Sequence, residues 1–318
     1  MPKVSDHFDG QNFFNPYLSG PRKSWDILYW MLTRKPIPWP KSYHLQQHKI
    51  QSQRVAEGEL QVTFINHSTL LIQIDGLNIL TDPIWSKRAS PFRWLGPKRI
   101  GLPGIKLQDL PPIDYVLISH NHYDHMDIPT LKTLQQIHAP LIFTGLGNKH
   151  YLNRCGIKNV EEFDWWESTT LLNKNKLTYV PAQHFSARGL LDRDKTLWGG
   201  FTLQGSKHLI YFAGDTGYGP HFNEIRSRIG VPHLSLLPIG AYKPEWFMQP
   251  VHMSPKEAVK ALKDLGSKHA IAIHFGTFQL SDEKIHDPFE ELNLALKEYQ
   301  LSPEHFIVLN PGEVRKFS

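Results

Sequence analysis

The chain has one cysteine and no long apolar run. Cys155 is the single cysteine among 318 residues, so an intrachain disulfide is excluded and a reducing compartment is favoured. No apolar stretch reaches the roughly 17–25 residues that a membrane-spanning helix needs. The first residues lack the basic and then apolar pattern of a secretory signal. We therefore expect a cytoplasmic protein, at most peripheral to the inner face of a membrane.

The charge balance is only mildly basic. The formal net charge of +5 comes from 35 Lys and Arg against 30 Asp and Glu. Such an excess suits an anionic substrate or a membrane surface. Over the whole chain the basic residues form no clustered stripe, so we expect no nucleic-acid partner.

The first 54 residues differ in composition from the rest. They form an aromatic and proline-rich N-terminal extension, whereas residues 55–318 read as one catalytic domain. Within the extension, SWDILYWMLTRKPIPWP predicts a short helix that Ser24 caps and Pro36 ends. This helix is apolar on nearly every face. Packing on the main domain and contact with a membrane or lipid groove both remain open interpretations.

From residue 55 onward, short strands alternate with helices, which predicts an α/β domain. The segment LQVTFINHSTLLIQIDGLNILTDP predicts three strands, with turns at Asn66-His67 and Asp75-Gly76. Seven further strand candidates follow, at 115–119, 140–145, 176–180, 199–205, 208–215, 233–240 and 269–276.

Two helices carry N-terminal capping signals. In SPKEAVKALKDLG, Ser254 and Glu257 have the spacing of a capping box, and Gly266 supplies the left-handed residue at the end. DPFEELNLALKEYQ repeats the scheme, with Asp287 as the expected cap and Glu290 as its partner.

The stretch ISHNHYDHMD concentrates metal-binding side chains directly after a predicted strand. His120, His122, Asp124 and His125 spell H-x-H-x-D-H, and their spacing does not place them on one helix face, which indicates a loop. Imidazoles with a carboxylate suit zinc or another borderline divalent ion. Four ligands in six residues exceed what one catalytic zinc takes from a single loop, so the motif predicts two metals.

Three later residues complete such a site, because each lies at or just after a predicted strand. They are His184 in VPAQHFS, Asp215 in FAGDTG and His274 in IAIHFG. Each alone is more often structural, but together they predict a dinuclear centre with Asp215 as the bridging carboxylate. Two zinc ions are the expected cofactors, and iron or manganese would suit the same ligands.

The motif loop with the later His, Asp and His resembles the metallo-β-lactamase superfamily. The resemblance is more specific to one branch, the N-acylphosphatidylethanolamine-hydrolysing phospholipases D, through LTDPIWSKRASPFRWLGPKR, LPPIDYVLISHNHYDHMD, DWWE, LWGG, FAGDTGYGP, PIGAYKPEWFM and AIHFGTF. It covers residue 55 to the C-terminus. It implies a metallo-β-lactamase αβ/βα sandwich of two mixed β-sheets flanked by helices, in a bacterial member of the branch that forms a homodimer.

The resemblance also implies the ligand sets and a reaction. One zinc takes His120, His122 and His184. The other takes Asp124, His125 and His274, with Asp215 shared. Two such ions lower the pKa of a water held between them, and the hydroxide attacks phosphorus. The expected products from an N-acylphosphatidylethanolamine are an N-acylethanolamine and phosphatidic acid.

Further positions match the branch around this centre. Asp124, Asp215 and His252 are the expected catalytic residues. His67 either lies beneath the metal site and contacts one of its ligands or is a structural turn histidine, and both interpretations stay open. His252 would orient the substrate or approach the leaving group. Val251 departs from the branch, where we expect glutamine. Candidate substrate contacts, each with core packing or a solvated surface charge as its alternative, are Tyr123, Arg188, Lys195, Trp198, Tyr242, Trp246, Phe247 and Met248.

Two other functions compete with a phospholipid phosphodiesterase. One is a soluble metal-dependent hydrolase of a small phosphorylated or lactone substrate, for which an aromatic N-terminal segment would be wasteful. The other is a non-catalytic scaffold, which predicts the loss of at least one ligand. All seven ligand positions carry competent side chains.

Overall fold

The structure, a computed structural model, describes residues 3–18, 24–42, 45–189 and 191–317. Two mixed sheets of seven strands each form the centre of the fold, and helices flank them. This is the sandwich that the sequence predicts. The domain boundary after residue 54 stays a prediction.

The first sheet changes from antiparallel to parallel pairing across its width. Its strands are β1 (Leu60–Asn66), β2 (Thr69–Ile74), β3 (Leu77–Thr81), β4 (Tyr115–Ile118), β5 (Leu141–Gly145), β6 (Val160–Phe163) and β14 (Val314–Phe317). Their spatial order is β14-β1-β2-β3-β4-β5-β6. Pairs from β14 to β3 are antiparallel, and pairs from β3 to β6 are parallel.

The second sheet repeats that arrangement. Its strands are β7 (Ser168–Thr170), β8 (Lys176–Val180), β9 (Gly200–Gln204), β10 (Leu209–Phe212), β11 (Leu234–Pro238), β12 (His269–Ile273) and β13 (Phe306–Ile307). Their order is β13-β12-β11-β10-β9-β8-β7, with parallel pairs from β10 to β13. All ten strand candidates from the sequence are confirmed. Strands β6, β7, β13 and β14 were not expected.

The helices cover the outer faces of the sheets. They are α1 (Ser24–Thr33), α2 (Ile128–Ile137), α3 (Asn148–Arg154), α4 (His221–Ile229), α5 (Glu245–Met248), α6 (Pro255–Leu265) and α7 (Asp287–Glu298). Helix α3 contacts β5 and β6, whereas α6 contacts α4, α7 and β11. Helix α1 ends before Pro36, as predicted. The side chain of Ser24 lies outside the described residues.

Strand periodicity explains how the main core forms between the sheets. Successive side chains of a strand point to opposite faces. In β2, Leu70 and Ile72 join the core cluster that also holds Phe201 and Tyr211 of the second sheet. Leu71 points the other way, into the cluster beneath α2 and α3. Each face of the first sheet is therefore buried.

The two predicted capping boxes have different outcomes. Ser254 Oγ accepts from the Glu257 N–H, the Glu257 side chain accepts from the Ser254 N–H, and Gly266 is left-handed with φ of 69°. This box is confirmed. The second is wrong, because α7 begins at Asp287 itself and His286 precedes it without a side-chain cap. The Asp287 carboxylate instead accepts from Lys243 Nζ at 3.1 Å, an interaction that local spacing does not reveal.

The N-terminal segment packs on the sandwich and also exposes apolar surface. Phe8 and Phe13 are buried in the main core. In α1, Trp30 stacks on Phe247 at 4.9 Å between ring centroids, while Trp25 and Leu32 stay 70% and 77% exposed. Among the described residues, no helix combines the length and apolarity needed to cross a membrane.

Candidate metal centre and cavity

The H-x-H-x-D-H motif forms a tight loop after β4. The backbone N–H groups of His125 and Met126 both donate to the His122 carbonyl, at 3.1 and 2.9 Å. This turn brings side chains together that a helix or strand would separate. His120 Nε2 thereby lies 2.8 Å from His122 Nδ1.

A first group of ligand atoms comes from His120, His122 and His184, all within 4.8 Å of one another. Burial lowers the pKa of all three imidazoles, that of His122 to about 4. They are therefore neutral at pH 7, as metal ligation requires. The loop after β4 and the segment after β8 supply this group together.

The tautomers of two of these histidines follow from fixed acceptors. His184 Nδ1 lies 2.9 Å from the Val251 carbonyl, to which it can only donate. Ser119 Oγ donates to Asp82 at 2.6 Å and so accepts from His120 Nδ1 at 2.8 Å. Both rings thus present the Nε2 lone pair to the cluster. Val251 binds His184 through its backbone carbonyl, so this hydrogen bond is the same whether position 251 carries valine or the expected glutamine.

A second group gathers around Asp124. Its Oδ2 atom lies 2.9 Å from His67 Nε2, 3.2 Å from His125 Nε2 and 3.3 Å from His274 Nε2. The four ligand atoms lie within 4.8 Å of one another. His67, expected only as an outer contact, thus reaches the same carboxylate as the predicted ligands.

Asp215 touches both groups. Its Oδ2 atom lies 3.0 Å from His274 Nε2, 3.2 Å from His125 Nε2 and 3.9 Å from His184 Nε2. Burial opposes its ionisation, but the neighbouring histidines outweigh burial and hold the pKa of Asp215 well below its usual value. His252 Nδ1 lies 3.9 Å from the same oxygen. The carboxylate has the position that a shared ligand needs.

The cluster fits a bound cation. Asp215 Oδ1 is buried and lacks a hydrogen-bond partner among the described residues, and the buried His125 Nε2 lies 3.2 Å from two carboxylate oxygens without a well-directed hydrogen bond to either. Burial lowers the pKa of His125, but Asp215, Asp124 and other carboxylates outweigh it and raise that pKa well above 6.5. A divalent ion would satisfy the same lone pairs without a proton. The imidazole and carboxylate donors match zinc and related ions.

Asp82 is a candidate site residue that the sequence did not point to. It follows β3 and is fully buried, and it accepts from His125 Nδ1 at 2.6 Å and from the Ser119 N–H at 2.7 Å. A carboxylate in this position orients the ligand ring and raises its basicity. The string LTDP held the only signal, an acid directly after a strand.

Three strand-end residues at the site have left-handed backbones. His67, Asp82 and His274 have φ of 48°, 33° and 58°. Such conformations cost about 1–3 kcal/mol each in residues other than glycine and cluster at functional sites. At these positions the chain turns sharply while its side chain points into the cluster.

Asn15 connects the N-terminal segment to a candidate ligand. Its Nδ2 donates to the His184 carbonyl at 2.7 Å, and its Oδ1 accepts from the His184 N–H at 3.1 Å. Trp198 Nε1 also donates to that Oδ1, at 3.3 Å. No motif at Asn15 indicated this role.

A cavity of about 710 Å³ opens beside His184. The N-terminal segment, the 184–198 segment and the region around α5 form its wall. The lining residues are Asp9, Asn12, Phe13, Phe14, Asn15, Leu18, Asp26, His184, Phe185, Arg193, Asp194, Trp198, Trp246, Phe247, Pro250 and Val251. More than half of these are apolar. The volume lies in the range of small-molecule sites.

The predicted substrate contacts divide between this cavity and other places. Trp198 and Trp246 line it. Tyr123 donates to the Arg188 carbonyl at 2.8 Å. Lys195 Nζ donates to a backbone carbonyl of the N-terminal segment, and Tyr242 is 1% exposed. A substrate contact for these residues stays a prediction.

Arg188 supports the motif loop. Its Nη1 donates to the carbonyls of Asn121 and Met126, at 2.6 and 2.9 Å. Its guanidinium also stacks over the rings of Tyr123 and Tyr151. These contacts fix the backbone of the motif loop at Asn121 and Met126.

Comparisons with known proteins agree with this architecture. A family described as the beta-lactamase superfamily domain matches residues 77–275. The chain is 35% identical over 273 residues to N-acyl-phosphatidylethanolamine-hydrolyzing phospholipase D 1 of Caenorhabditis elegans, covering 81% of this chain and 76% of that protein. It is 38% identical over 238 residues to the mitochondrial N-acyl-phosphatidylethanolamine-hydrolyzing phospholipase D of Saccharomyces cerevisiae, covering 73% and 51%.

The fold also matches solved structures. Igni18, a metallo hydrolase from the archaeon Ignicoccus hospitalis, aligns with a TM-score of 0.63 at 22% identity, over 82% of this chain and 99% of its own. The seven candidate ligands between His120 and His274 all lie inside the segment that the family matches.

Proposed function

The chain belongs to the metallo-β-lactamase superfamily and is a metal-dependent hydrolase of that fold, and from this premise we propose that it is a phospholipase D-like phosphodiesterase. Its proposed substrates are lipids of the N-acylphosphatidylethanolamine type, and its products are an N-acylethanolamine and phosphatidic acid. The observation that carries the proposal is a buried His/Asp cluster of which one member, His184, also lines a largely apolar cavity.

The proposed ligand sets follow the two groups of donor atoms. His120, His122 and His184 would hold one zinc ion. Asp124, His125 and His274 would hold the other, and Asp215 would contact both. When bound, such ions supply the Lewis acidity that activates water and stabilises charge on a phosphoryl group.

The remaining groups would bind and orient the substrate. Phe185 and Trp198 flank His184 in the cavity and suit an acyl chain. Arg193, which the sequence reasoning did not single out, brings a guanidinium to the same wall and suits a phosphate. His252 faces Asp215 and would orient the leaving group.

A peripheral membrane contact belongs to this proposal. The exposed face of α1 includes Trp25, Met31 and Leu32, and Trp246 beside it lines the cavity. Such a face suits the interfacial region of a bilayer. The lone Cys155 is consistent with a reducing compartment. Homodimer formation stays a prediction.

A substrate panel tests the reaction. Zinc-loaded protein is given N-acylphosphatidylethanolamine, phosphatidylcholine, a soluble aryl phosphodiester and a lactone, and products are identified by mass spectrometry. We expect N-acylethanolamine and phosphatidic acid from the first. Cleavage of the lactone alone would favour the small-substrate hydrolase instead. Chelation followed by addition of zinc, iron or manganese identifies the metal that supports turnover.

A single substitution tests the centre. Asp215→Asn removes a carboxylate that contacts both groups and should lower kcat/KM by about three orders of magnitude, or about 4 kcal/mol. Asp109→Asn makes the same chemical change in a short 3-10 turn outside the cluster and should leave kcat/KM unchanged. Full activity in Asp215→Asn would refute the proposed centre.

A further inference from the structure

A basic and aromatic hairpin beside the cluster has no part in the site described above. Residues 86–99 fold back on themselves, because the Ala89 N–H donates to the Pro97 carbonyl and the Arg99 N–H donates to the Lys87 carbonyl, both at 3.0 Å. We call residues 86–99 the rim hairpin.

The tip of the rim hairpin exposes three large apolar side chains within four residues. Phe92, Trp94 and Leu95 are 50%, 72% and 54% exposed. The Phe92 and Trp94 rings lie 5.5 Å apart, so they form one patch. Scattered apolar residues on a surface need no explanation, but a contiguous patch marks an interaction site.

Along the sequence the charges in and beside the rim hairpin are all positive, and the one carboxylate among the described residues that contacts its base, Asp127 through Ser86, is buried. Between residues 83 and 108 there is no Asp or Glu, although the whole chain is nearly balanced. The basic residues of this span are Lys87, Arg88, Arg93, Lys98, Arg99 and Lys106. Exposed aromatic residues in a segment whose charges are all positive suit an anionic lipid bilayer. The negative head groups attract the basic side chains, and the apolar layer beneath them accommodates the rings.

The base of the rim hairpin is rigid. Arg99 is 7% exposed, and it donates to the carbonyls of Ser86 and Ile84 at 2.8 and 3.0 Å. The Ile100 N–H donates to the Thr277 carbonyl at 3.1 Å. A preorganised element loses little conformational entropy when it docks.

One loop, which includes Phe278 and Gln279, contacts the base of the rim hairpin and the segment that follows α1. Ala89 packs against Phe278, whose ring lies 5.3 Å from that of His67. The next residue, Gln279, donates from Nε2 to the Ile37 carbonyl at 2.7 Å, just beyond α1. One loop therefore supports both exposed apolar elements beside the metal cluster.

We propose that the rim hairpin docks on an anionic phospholipid bilayer. Phe92, Trp94 and Leu95 enter the interfacial region, and Arg93 and Lys98 contact lipid phosphates. Together with α1, this would give the protein two apolar contacts with the membrane. The inference rests on the membrane contact proposed above and is independent of which lipid is hydrolysed.

Vesicle partition tests the docking. The full chain is sedimented with vesicles of phosphatidylcholine alone or with added phosphatidylglycerol. Phe92→Ser/Trp94→Ser should reduce partition about ten-fold on both. Arg93→Gln/Lys98→Gln should reduce it on the anionic vesicles alone, roughly five-fold per charge. The control Leu294→Ser alters a similarly exposed apolar residue on α7, 65% exposed, and should bind normally.

Each result decides a separate point. Wild-type partition in both double variants would overturn the hairpin's role, and equal partition to both vesicle types would overturn the anionic preference. Absence of binding by the wild type would overturn the docking as a whole. Hydrolysis of the soluble phosphodiester, expected to be unchanged in these variants, reports on the proposed function independently.

A conservative variant guards against misfolding. The chain has nine tryptophans, so bromine-labelled lipid should quench the total fluorescence of the docked wild type more strongly than that of Trp94→Phe, which should still sediment with anionic vesicles. Equal quenching in wild type and Trp94→Phe would show that Trp94 does not enter the bilayer.

Discussion

Replacement of Asn15 by alanine tests whether the N-terminal segment is part of the metal centre. The Asn15 amide makes two hydrogen bonds to the backbone of His184, at 2.7 and 3.1 Å. Alanine removes both and leaves a buried N–H and a buried carbonyl without these partners. Trp198 keeps its second acceptor, the Ala182 carbonyl at 3.0 Å, so the change is confined to His184.

The size of the effect follows from burial. A buried group left without its partner costs about 1–3 kcal/mol, and each net hydrogen bond contributes about 1 kcal/mol. Two lost contacts at the fully buried His184 should therefore cost about 2–3 kcal/mol. Unfolding entropies of about 2.1 cal/mol/K per residue convert this to a Tm lower by about 3–4 °C for a chain of this length.

Metal affinity should change as well, because Asn15 holds the backbone that carries a proposed ligand. Loss of such an outer contact typically weakens metal binding by about 10–100-fold. Competition with a chromogenic chelator measures this affinity, and calorimetry measures Tm. Asn15→Asp retains the acceptor for the His184 N–H but sets a carboxylate oxygen against the His184 carbonyl, so it should not restore the wild-type Tm or metal affinity.

Asn12→Ala is the matched control, since Asn12 lines the same cavity and no hydrogen bond from its side chain to His184 is present. Its Tm and metal affinity should equal those of the wild type. If Asn15→Ala also matches the wild type in both measurements, the segment is only a cover over the cavity and the reasoning is refuted.

Three further perturbations test other contacts. Asp82→Asn should weaken metal binding about 10–100-fold with little change in far-ultraviolet circular dichroism, because Asp82 orients His125; unchanged affinity would contradict this. Burial lowers the pKa of His7, but hydrogen bonds to Asp164 and Asp6 outweigh it and raise that pKa above 6.5, while the pKa of Asp164 is lowered from 3.8 despite its burial. The stability from this pair is therefore present between pH 3.8 and 6.5 and is lost as pH rises through the raised pKa of His7. The Tm difference between wild type and His7→Gln should become smaller as the pH is raised through that pKa. A Tm difference that stays constant with pH would count against the pair. Ser254→Ala should cost about 1 kcal/mol through loss of the capping box, detected as a lower urea midpoint, and an unchanged midpoint would show that the cap contributes nothing.

Local rules predicted elements whose signals lie within a few residues. The box at Ser254 formed because its donor and acceptor are three residues apart. The same spacing at Asp287 gave no box, because α7 begins at Asp287 itself and its carboxylate accepts from the Lys284 N–H and from Lys243 Nζ. Strands β7 and β13 were missed since they have only three and two residues, too few for a periodic pattern. Strands β6 and β14 are as long as the predicted β4, but the charged pairs in VEEF and VRKF interrupt the apolar run that marks YVLI.

The charge pattern also separates what the sequence indicates from what the tertiary structure decides. Net charge over the chain suggested only a mild basic excess, and the acid-free span from 83 to 108 was not singled out. Its meaning depends on exposure, because the hairpin fold decides that Phe92 and Trp94 face solvent while Arg99 is buried. Composition averages over such differences.

The sequence by itself indicated ten of the fourteen strands in the part of the chain that the structure describes, the ligand-rich loop, the candidate ligands and the expected bridging place of Asp215, because hydrophobic periodicity and side-chain chemistry are local properties. Tertiary structure alone decided that His67 reaches the Asp124 carboxylate, that Asp82 contacts His125 and that Asn15 holds the His184 backbone. Those contacts join strand ends and an N-terminal segment that are far apart in the chain. They form only when the two sheets pack against each other and bring those strand ends to one edge of the sandwich.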